Sequence, residues 1–187
     1  MTARALRTSR GFSLIELLVA SAIILVVAAI ATPSIVRSIR AYRVGSVGIE
    51  VSNILQRTRY EAIRRNIRTT CRGQVTGGQW QVWIDYNNDQ RVDANEPFIL
   101  VPADMAFLGA DQVPDVGSMG YPATRQIVGA ISFDARGTVD FGPAAPAVML
   151  AFVGVPTDPS AGYRAIAVTP AGKTRMWRAA AKDQAWH

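Results

Sequence analysis

The sequence predicts an α+β fold in which one long N-terminal hydrophobic helix packs on an antiparallel β-sheet head domain. Three observations support this prediction: an apolar run from Phe12 to Ile30, a helical spacing of apolar residues from Ile35 to Ile67, and several short strand-like segments after residue 73. One helix followed by a run of strands is typical of the α+β class. The length of 187 residues fits one globular domain with an appended element.

The apolar run is long enough to cross a membrane. Between Phe12 and Ile30 the polar residues are Ser13, Glu16 and Ser21, and about 20 apolar residues are needed for a membrane-spanning helix. A cleaved export signal is the alternative, because "AIATPS" weakly matches a signal-peptidase site. Glu16 favours the first interpretation, since a carboxylate in the hydrocarbon region costs a few kcal/mol and is usually functional and paired.

Charges on either side of the run predict its orientation. Arg4, Arg7 and Arg10 precede it without any acidic residue, so the positive-inside rule keeps the N-terminus cytoplasmic and places the head in the periplasm. Residues 37–72 are also basic, with nine arginines and two glutamates. We expect the first of these arginines to contact anionic lipid headgroups of the inner membrane.

The stretch "RGFSLIELLVASAIILVVAAIATPSI" closely resembles the class III signal of type IV pilins and type II secretion pseudopilins. The resemblance implies a pilin-like fold and cleavage by prepilin peptidase after Gly11, followed by N-methylation of Phe12. It also implies that Glu16 pairs with the N-terminal amine of a neighbouring pilin or pseudopilin subunit, and that Pro33 is the helix-kinking proline of these proteins. A carboxylate without an internal partner is tolerated where another copy supplies the cation.

The remaining chain divides into further segments. We expect a leader at residues 1–11, a transmembrane and assembly helix at 12–34, an amphipathic continuation of that helix at 35–72, and a β-rich head at 73–187. Pro33 should bend the helix without ending it. Gly45 and Gly48 each weaken a helix by roughly 1 kcal/mol relative to alanine and mark a candidate flexible or melted stretch.

Strand-like segments separated by turn residues make up the head. They alternate or concentrate β-branched and aromatic residues between Gly, Pro, Asn and Asp, which is typical of an antiparallel sheet. The segments are "WQVWIDY", "EPFILV", "QIVGAISFD", "GTVDFG", "AVMLAFV" and "YRAIAVTP". Residues 102–126, rich in proline and glycine, are expected to form a long surface loop.

The head also resembles the GspH/FimT subfamily. The similar stretches are "GGQWQVWIDYNNDQRVDANEPFIL", "ISFDARGTVDF" and "AIAVTPAGKTRMW". The resemblance implies a minor pilin or pseudopilin, a non-enzymatic filament subunit that joins or primes a type IV pilus or a type II secretion pseudopilus.

An acidic loop in the head has the ligand spacing of an EF-hand. Six residues occupy the first, third, fifth, seventh, ninth and twelfth places, the seventh offering its backbone carbonyl: Asp85, Asn87, Asp89, Arg91, Asp93 and Glu96. Calcium is therefore one interpretation. The alternative is a polar hairpin tip, because Gln90 replaces the turn glycine and the flanks favour strands.

The C-terminal stretch offers a second function. Lys173, Arg175 and Arg178 surround Trp177, and cations with aromatic side chains are typical of a DNA-binding surface. In FimT-like proteins of natural transformation a Gly-Arg-x-Arg motif contributes to DNA binding, and Gly172 to Arg175 match it with Lys173 in place of the first arginine. The alternative is that these cations are ordinary solvated side chains and that Trp177 belongs to the core.

Composition argues against nucleophilic hydrolysis. The chain has one cysteine, Cys71, and one histidine, His187, at its end, so a Ser-His-Asp or Cys-His arrangement lacks a base. Cys71 cannot form an intramolecular disulfide and is best interpreted as a small buried hydrophobic residue. Apart from calcium, no cofactor is expected.

Overall fold

The fold begins with a single long helix. The computed structural model describes residues 12–187, in which helix α1 runs from Leu14 to Arg65 and continues through Pro33. Two compact units share this helix: the first ends at Ser38, and the second comprises Ile39–His187. The head therefore includes the second half of α1.

The second half of α1 packs on the head through one face. Val44, Val47, Val51 and Leu55 are buried at intervals of three or four residues, which is the spacing of one helix face. Gly48 lies on this face, and a Cβ atom there would come within 3.1 Å of the Met176 sulfur. The expectation of a melted stretch at the two glycines is wrong, because both are helical and Gly48 allows the helix to approach the sheet closely.

The helix ends earlier than the sequence suggests. Residues 66–72, placed in the helical segment 35–72, form a turn and the start of strand β1 (Thr69–Thr76). Asn66 has a left-handed φ of 54°, and the Ile67 amide donates to the Ala62 carbonyl at 3.2 Å. A left-handed residue followed by such a bond is a common way to end a helix.

The first sheet has the strand order β3–β2–β1–β6, and every pairing in it is antiparallel. Its strands are β1 (Thr69–Thr76), β2 (Gln79–Asp85), β3 (Phe98–Leu100) and β6 (Ala130–Phe133). Strand β1 was missed by the sequence patterns because it carries mostly polar residues.

The second sheet has the order β4–β7–β8–β9, and β5 pairs with β7 in parallel. Its strands are β4 (Ala106–Leu108), β5 (Thr124–Gln126), β7 (Val148–Gly154), β8 (Tyr163–Val168) and β9 (Thr174–Ala179). The α+β prediction is confirmed, with two sheets instead of one. The segment "GTVDFG" contributes only an isolated bridge from Val139 to Phe133.

Two hydrophobic cores stabilise the head. The larger lies between α1 and the two sheets and includes Leu55, Ile84 and Ile166. The smaller lies on the opposite face of the second sheet, where Val113, Met119 and Trp186 cover it. The expected surface loop 102–126 is therefore partly wrong, because this segment contributes two short strands and several buried apolar side chains.

Candidate assembly surface

The first half of α1 presents apolar side chains in all directions. Leu25 and Ile30 are 69% and 74% exposed, and the segment passes the length and composition criteria for a membrane span. An apolar helix without a polar face is typical of burial in lipid or among other helices. The structure thus leaves this half available for both.

The hydroxyl groups of Ser21 and Thr32 in this half are satisfied within the helix. Ser21 donates to the Leu17 carbonyl at 2.7 Å, and Thr32 donates to the Ala28 carbonyl at 2.7 Å. Such bonds to the preceding turn remove unpaired donors, and unpaired polar groups are costly in hydrocarbon. Both residues are therefore compatible with an apolar environment.

Glu16 is the exception among these polar residues. It lies in the first turn of α1, where the helix dipole favours a carboxylate. Within residues 12–187, no arginine, lysine or histidine lies within ion-pair distance of it. Phe12 is described and 81% exposed, whereas Gly11 lies outside the described residues.

Glu61, in the second half of the same helix, has the partners that Glu16 lacks. Its carboxylate accepts hydrogen bonds from Arg64 at 2.6 Å and Arg65 at 3.0 Å. The hydrogen bond from Arg64, with that from Arg65, holds the pKa of Glu61 below its ordinary value despite partial desolvation. The head thus neutralises its own helix carboxylate.

The acidic loop satisfies most of its buried carboxylate oxygens with groups of the chain, and Asp85 Oδ1 is buried without a hydrogen-bond partner. Asp85 is buried and accepts from Arg72 Nε at 2.5 Å and from the Gln90 amide at 3.2 Å. Glu96 is also buried and accepts from the amides of Tyr86 and Asp93. These bonds tie the loop to β1 and β2 and fold it into a compact turn.

The loop geometry favours the hairpin interpretation over calcium. Asn87 donates to Asp93 at 2.9 Å, and Asp89 accepts from the Arg91 amide at 2.8 Å. Throughout residues 12–187, no three His, Cys, Asp or Glu side chains converge as a metal site. An oxygen cage for Ca²⁺ needs six to eight ligands directed at one point, and these residues point to one another instead.

The proposed DNA-binding residues do not share one face. Arg175 and Trp177 lie on one side of β9, and Arg178 lies on the other, because successive side chains of a strand alternate. Lys173 lies in the turn before the strand. The Arg175 guanidinium lies 4.3 Å from the Trp177 ring centroid. The three cations therefore do not form a continuous track for a phosphate backbone.

The two C-terminal tryptophans serve the core. Trp177 is half-buried and donates from Nε1 to the Tyr121 hydroxyl at 3.2 Å. Trp186 is buried, stacks on Phe152, and donates to the Pro114 carbonyl. Neither ring is freely available for stacking on bases, which favours the core interpretation.

Cys71 is a buried residue of β1, and burial raises the pKa of its thiol to about 12. A thiol in this state is not a reactive nucleophile at neutral pH.

Comparisons with known proteins agree with the sequence resemblance. The model of the prokaryotic N-terminal methylation motif matches residues 6–32, and the model of the type II transport protein GspH matches residues 50–172. No curated protein sequence matches the chain.

Two crystal forms of the type IV minor pilin FimU of Pseudomonas aeruginosa are similar in structure. Each is 15% identical and covers 71% of this chain. The matches extend over 90% and 87% of the FimU chains, with TM-scores of 0.47 and 0.48.

Proposed function

We propose that this chain, which belongs to the family of the type II transport protein GspH, is a minor subunit of a type II secretion pseudopilus or a type IV pilus. The first half of α1 anchors the subunit in the inner membrane and later packs among the helices of other subunits. One observation carries the proposal: the first half of α1 exposes its large apolar side chains, and its single carboxylate, Glu16, lacks a partner within the described chain.

Topology follows from the charges before the span. Arg4, Arg7 and Arg10 hold the N-terminus in the cytoplasm, and the long head domain crosses to the periplasm. The methylation motif matched at residues 6–32 supports cleavage by prepilin peptidase between Gly11 and Phe12 and N-methylation of the new terminus. Cleavage removes the leader arginines, so the apolar segment then begins at Phe12.

Cleavage also creates the cation that Glu16 requires. A carboxylate buried among apolar helices is strongly destabilising unless it is paired. The amine of Phe12 in a neighbouring subunit is a suitable partner, because it lies at the start of the same apolar segment in each copy. Only a correctly staggered neighbour brings the two charges together, so this pair sets the register between subunits.

The head holds the second half of α1 through its core, which leaves the first half for assembly. Arg59 in this second half donates to the Gly137 carbonyl at 2.9 Å, and Arg40 pairs with Asp158. These contacts add to the buried stripe from Val44 to Leu55.

The test replaces Glu16 by glutamine, which keeps the size of the side chain and removes its charge. We expect membrane insertion and leader cleavage to be unchanged and the amount of subunit in purified filaments to fall by about tenfold or more, since a buried amine loses its charged partner. Incorporation is measured by quantitative immunoblotting of sheared or purified filaments.

Glu50→Gln is the matched control. Glu50 is an exposed glutamate on the same helix, so its replacement should leave incorporation at the level of the unmodified chain. Equal incorporation of the Glu16→Gln and Glu50→Gln variants would exclude the assembly role of Glu16.

A further inference from the structure

A cleft beside the start of the head domain contains two arginines that face one another. Arg164 on β8 and Arg178 on β9 are direct cross-strand partners. Like charges in this position repel each other and destabilise a sheet. Arg164 is half-buried, and its burial together with the neighbouring Arg178 lowers its pKa.

No aspartate or glutamate side chain balances this pair. Within residues 12–187, none lies within ion-pair distance of Arg164 or Arg178. The nearby Asp158 is already engaged, because it pairs with Arg40 and accepts from Ser160. The described residues that line the cleft include these two arginines and no acidic side chain, and the His187 main-chain oxygen beside them accepts from the Arg178 amide at 2.9 Å.

The guanidinium of Arg164 is positioned by two hydrogen bonds and retains further N–H donors for a ligand. It donates to the Tyr163 carbonyl at 2.9 Å and to the Ala41 carbonyl at 3.5 Å, whereas a guanidinium has five N–H donors. The cleft has a volume of about 190 Å³ and is lined by Ala41, Ser160, Gly162, Arg164, Arg178 and His187. This volume accommodates a tetrahedral oxyanion, since a water molecule occupies about 30 Å³ of the liquid.

We propose that the Arg164–Arg178 cleft binds the phosphate of an anionic phospholipid headgroup while the subunit is stored in the membrane. Paired guanidinium groups bind phosphate oxygens through charge-assisted hydrogen bonds. An anion between the two arginines removes their repulsion, so binding stabilises the head as well as the anchor.

The position of the cleft along the chain favours a lipid as the source of this phosphate. Ala41 follows Ser38, the end of the first unit, by three residues on the same helix. Its neighbour Tyr42 is 76% exposed, and tyrosine is enriched where a span meets the membrane surface. DNA fits less well, because Arg175 lies on the opposite side of β9.

The inference rests on the membrane anchor of the proposed function but not on filament assembly. It is tested on the full processed chain in a nonionic detergent by measuring the binding of phosphatidylglycerol, and of diacylglycerol with the same chains, by native mass spectrometry. We expect one molecule of phosphatidylglycerol to bind at least about tenfold more tightly than diacylglycerol, and Arg178→Gln to remove this preference.

Arg175→Gln is the matched control, because Arg175 is an exposed arginine on the same strand but on its other face. This variant should bind phosphatidylglycerol as the unmodified chain does. Arg178→Lys should retain part of the preference for phosphatidylglycerol, since lysine keeps the positive charge but cannot form the two parallel hydrogen bonds of a guanidinium. Thermal unfolding followed by circular dichroism confirms that each variant is folded.

Three results would overturn the proposal. The first is no preference for phosphatidylglycerol, or an equal loss in the Arg175→Gln and Arg178→Gln variants. The second is inorganic phosphate binding as tightly as the lipid with the same dependence on Arg178, which would assign the cleft to a free anion. The third is tighter, Arg178-dependent binding of duplex DNA. If the Arg178→Gln variant is incorporated into filaments normally, any of these results would count against lipid binding alone and leave the assembly role intact.

Discussion

The two halves of helix α1 contain similar apolar residues but arrange them differently. In the first half Leu18, Ile23 and Ile24 point in three different directions around the helix and are exposed, whereas in the second half Val47, Val51 and Leu55 form one buried face. The difference shows that periodicity, more than hydrophobicity, decides which half the head covers. A stripe is buried by the protein's own sheets, and an all-round apolar surface needs lipid or other subunits.

Their carboxylates differ in the same way. Glu61 in the second half is neutralised by Arg64 and Arg65, whereas Glu16 in the first half has no such partner within residues 12–187. The second half is therefore complete within one chain. In the proposed function, a neighbouring subunit supplies the cation that the first half lacks.

The largest expected difference is in the free energy of unfolding, between alanine substitutions of one leucine in each half of the helix. Leu55→Ala should lower the free energy of unfolding of the head by about 3 kcal/mol, because it leaves a cavity in the larger core. Leu18→Ala should change it by less than about 0.5 kcal/mol, since Leu18 is exposed and outside the head. Urea unfolding of the full chain in detergent, followed by tryptophan fluorescence, measures both; equal losses would show that the head depends on the first half.

A smaller difference in the free energy of unfolding is expected between alanine substitutions of two glycines in the second half. Gly45→Ala should raise the free energy of unfolding by up to about 1 kcal/mol, because alanine favours the helix and its Cβ would lie at ordinary contact distance, 3.5 Å, from Arg164. The free energy of unfolding of the Gly48→Ala variant should be at least about 1 kcal/mol lower than that of the Gly45→Ala variant. The reason is that the added Cβ at position 48 would crowd Met176 at 3.1 Å and Arg164 at 3.2 Å. The same urea titration measures both, and equal stabilisation by the two changes would mean that the close approach at Gly48 is unimportant.

Much of the fold could be predicted from the sequence because its signals are local. The apolar run, the helical stripe and strands such as Trp80–Ile84 are visible as patterns of residue type. The end of the helix at Arg65 was missed, since it depends on the left-handed conformation of Asn66 and on the pairing of the polar strand β1. The division into two sheets was missed because strand pairing is not local.

The candidate sites show the same limit. Glu16 was found because a single charge in an apolar run is conspicuous in the sequence. The facing of Arg164 and Arg178 depends on the register of β8 against β9, and 14 positions separate them in the chain. Conversely, the spacing of Asp85 to Glu96 suggested calcium, but the bonds that Arg72, Gln90 and Tyr86 donate to these carboxylates could not be inferred from spacing.

The central claim, that the first half of α1 is an assembly surface, is tested most directly by photo-crosslinking in purified filaments. A photoreactive amino acid replaces Ile23, which is 58% exposed, and in a separate chain replaces Ile54, which is buried in the head core. We predict adducts with neighbouring subunits from position 23 and only adducts within the chain from position 54. Adducts from position 23 with lipid alone, in filaments that contain the subunit, would contradict the claim.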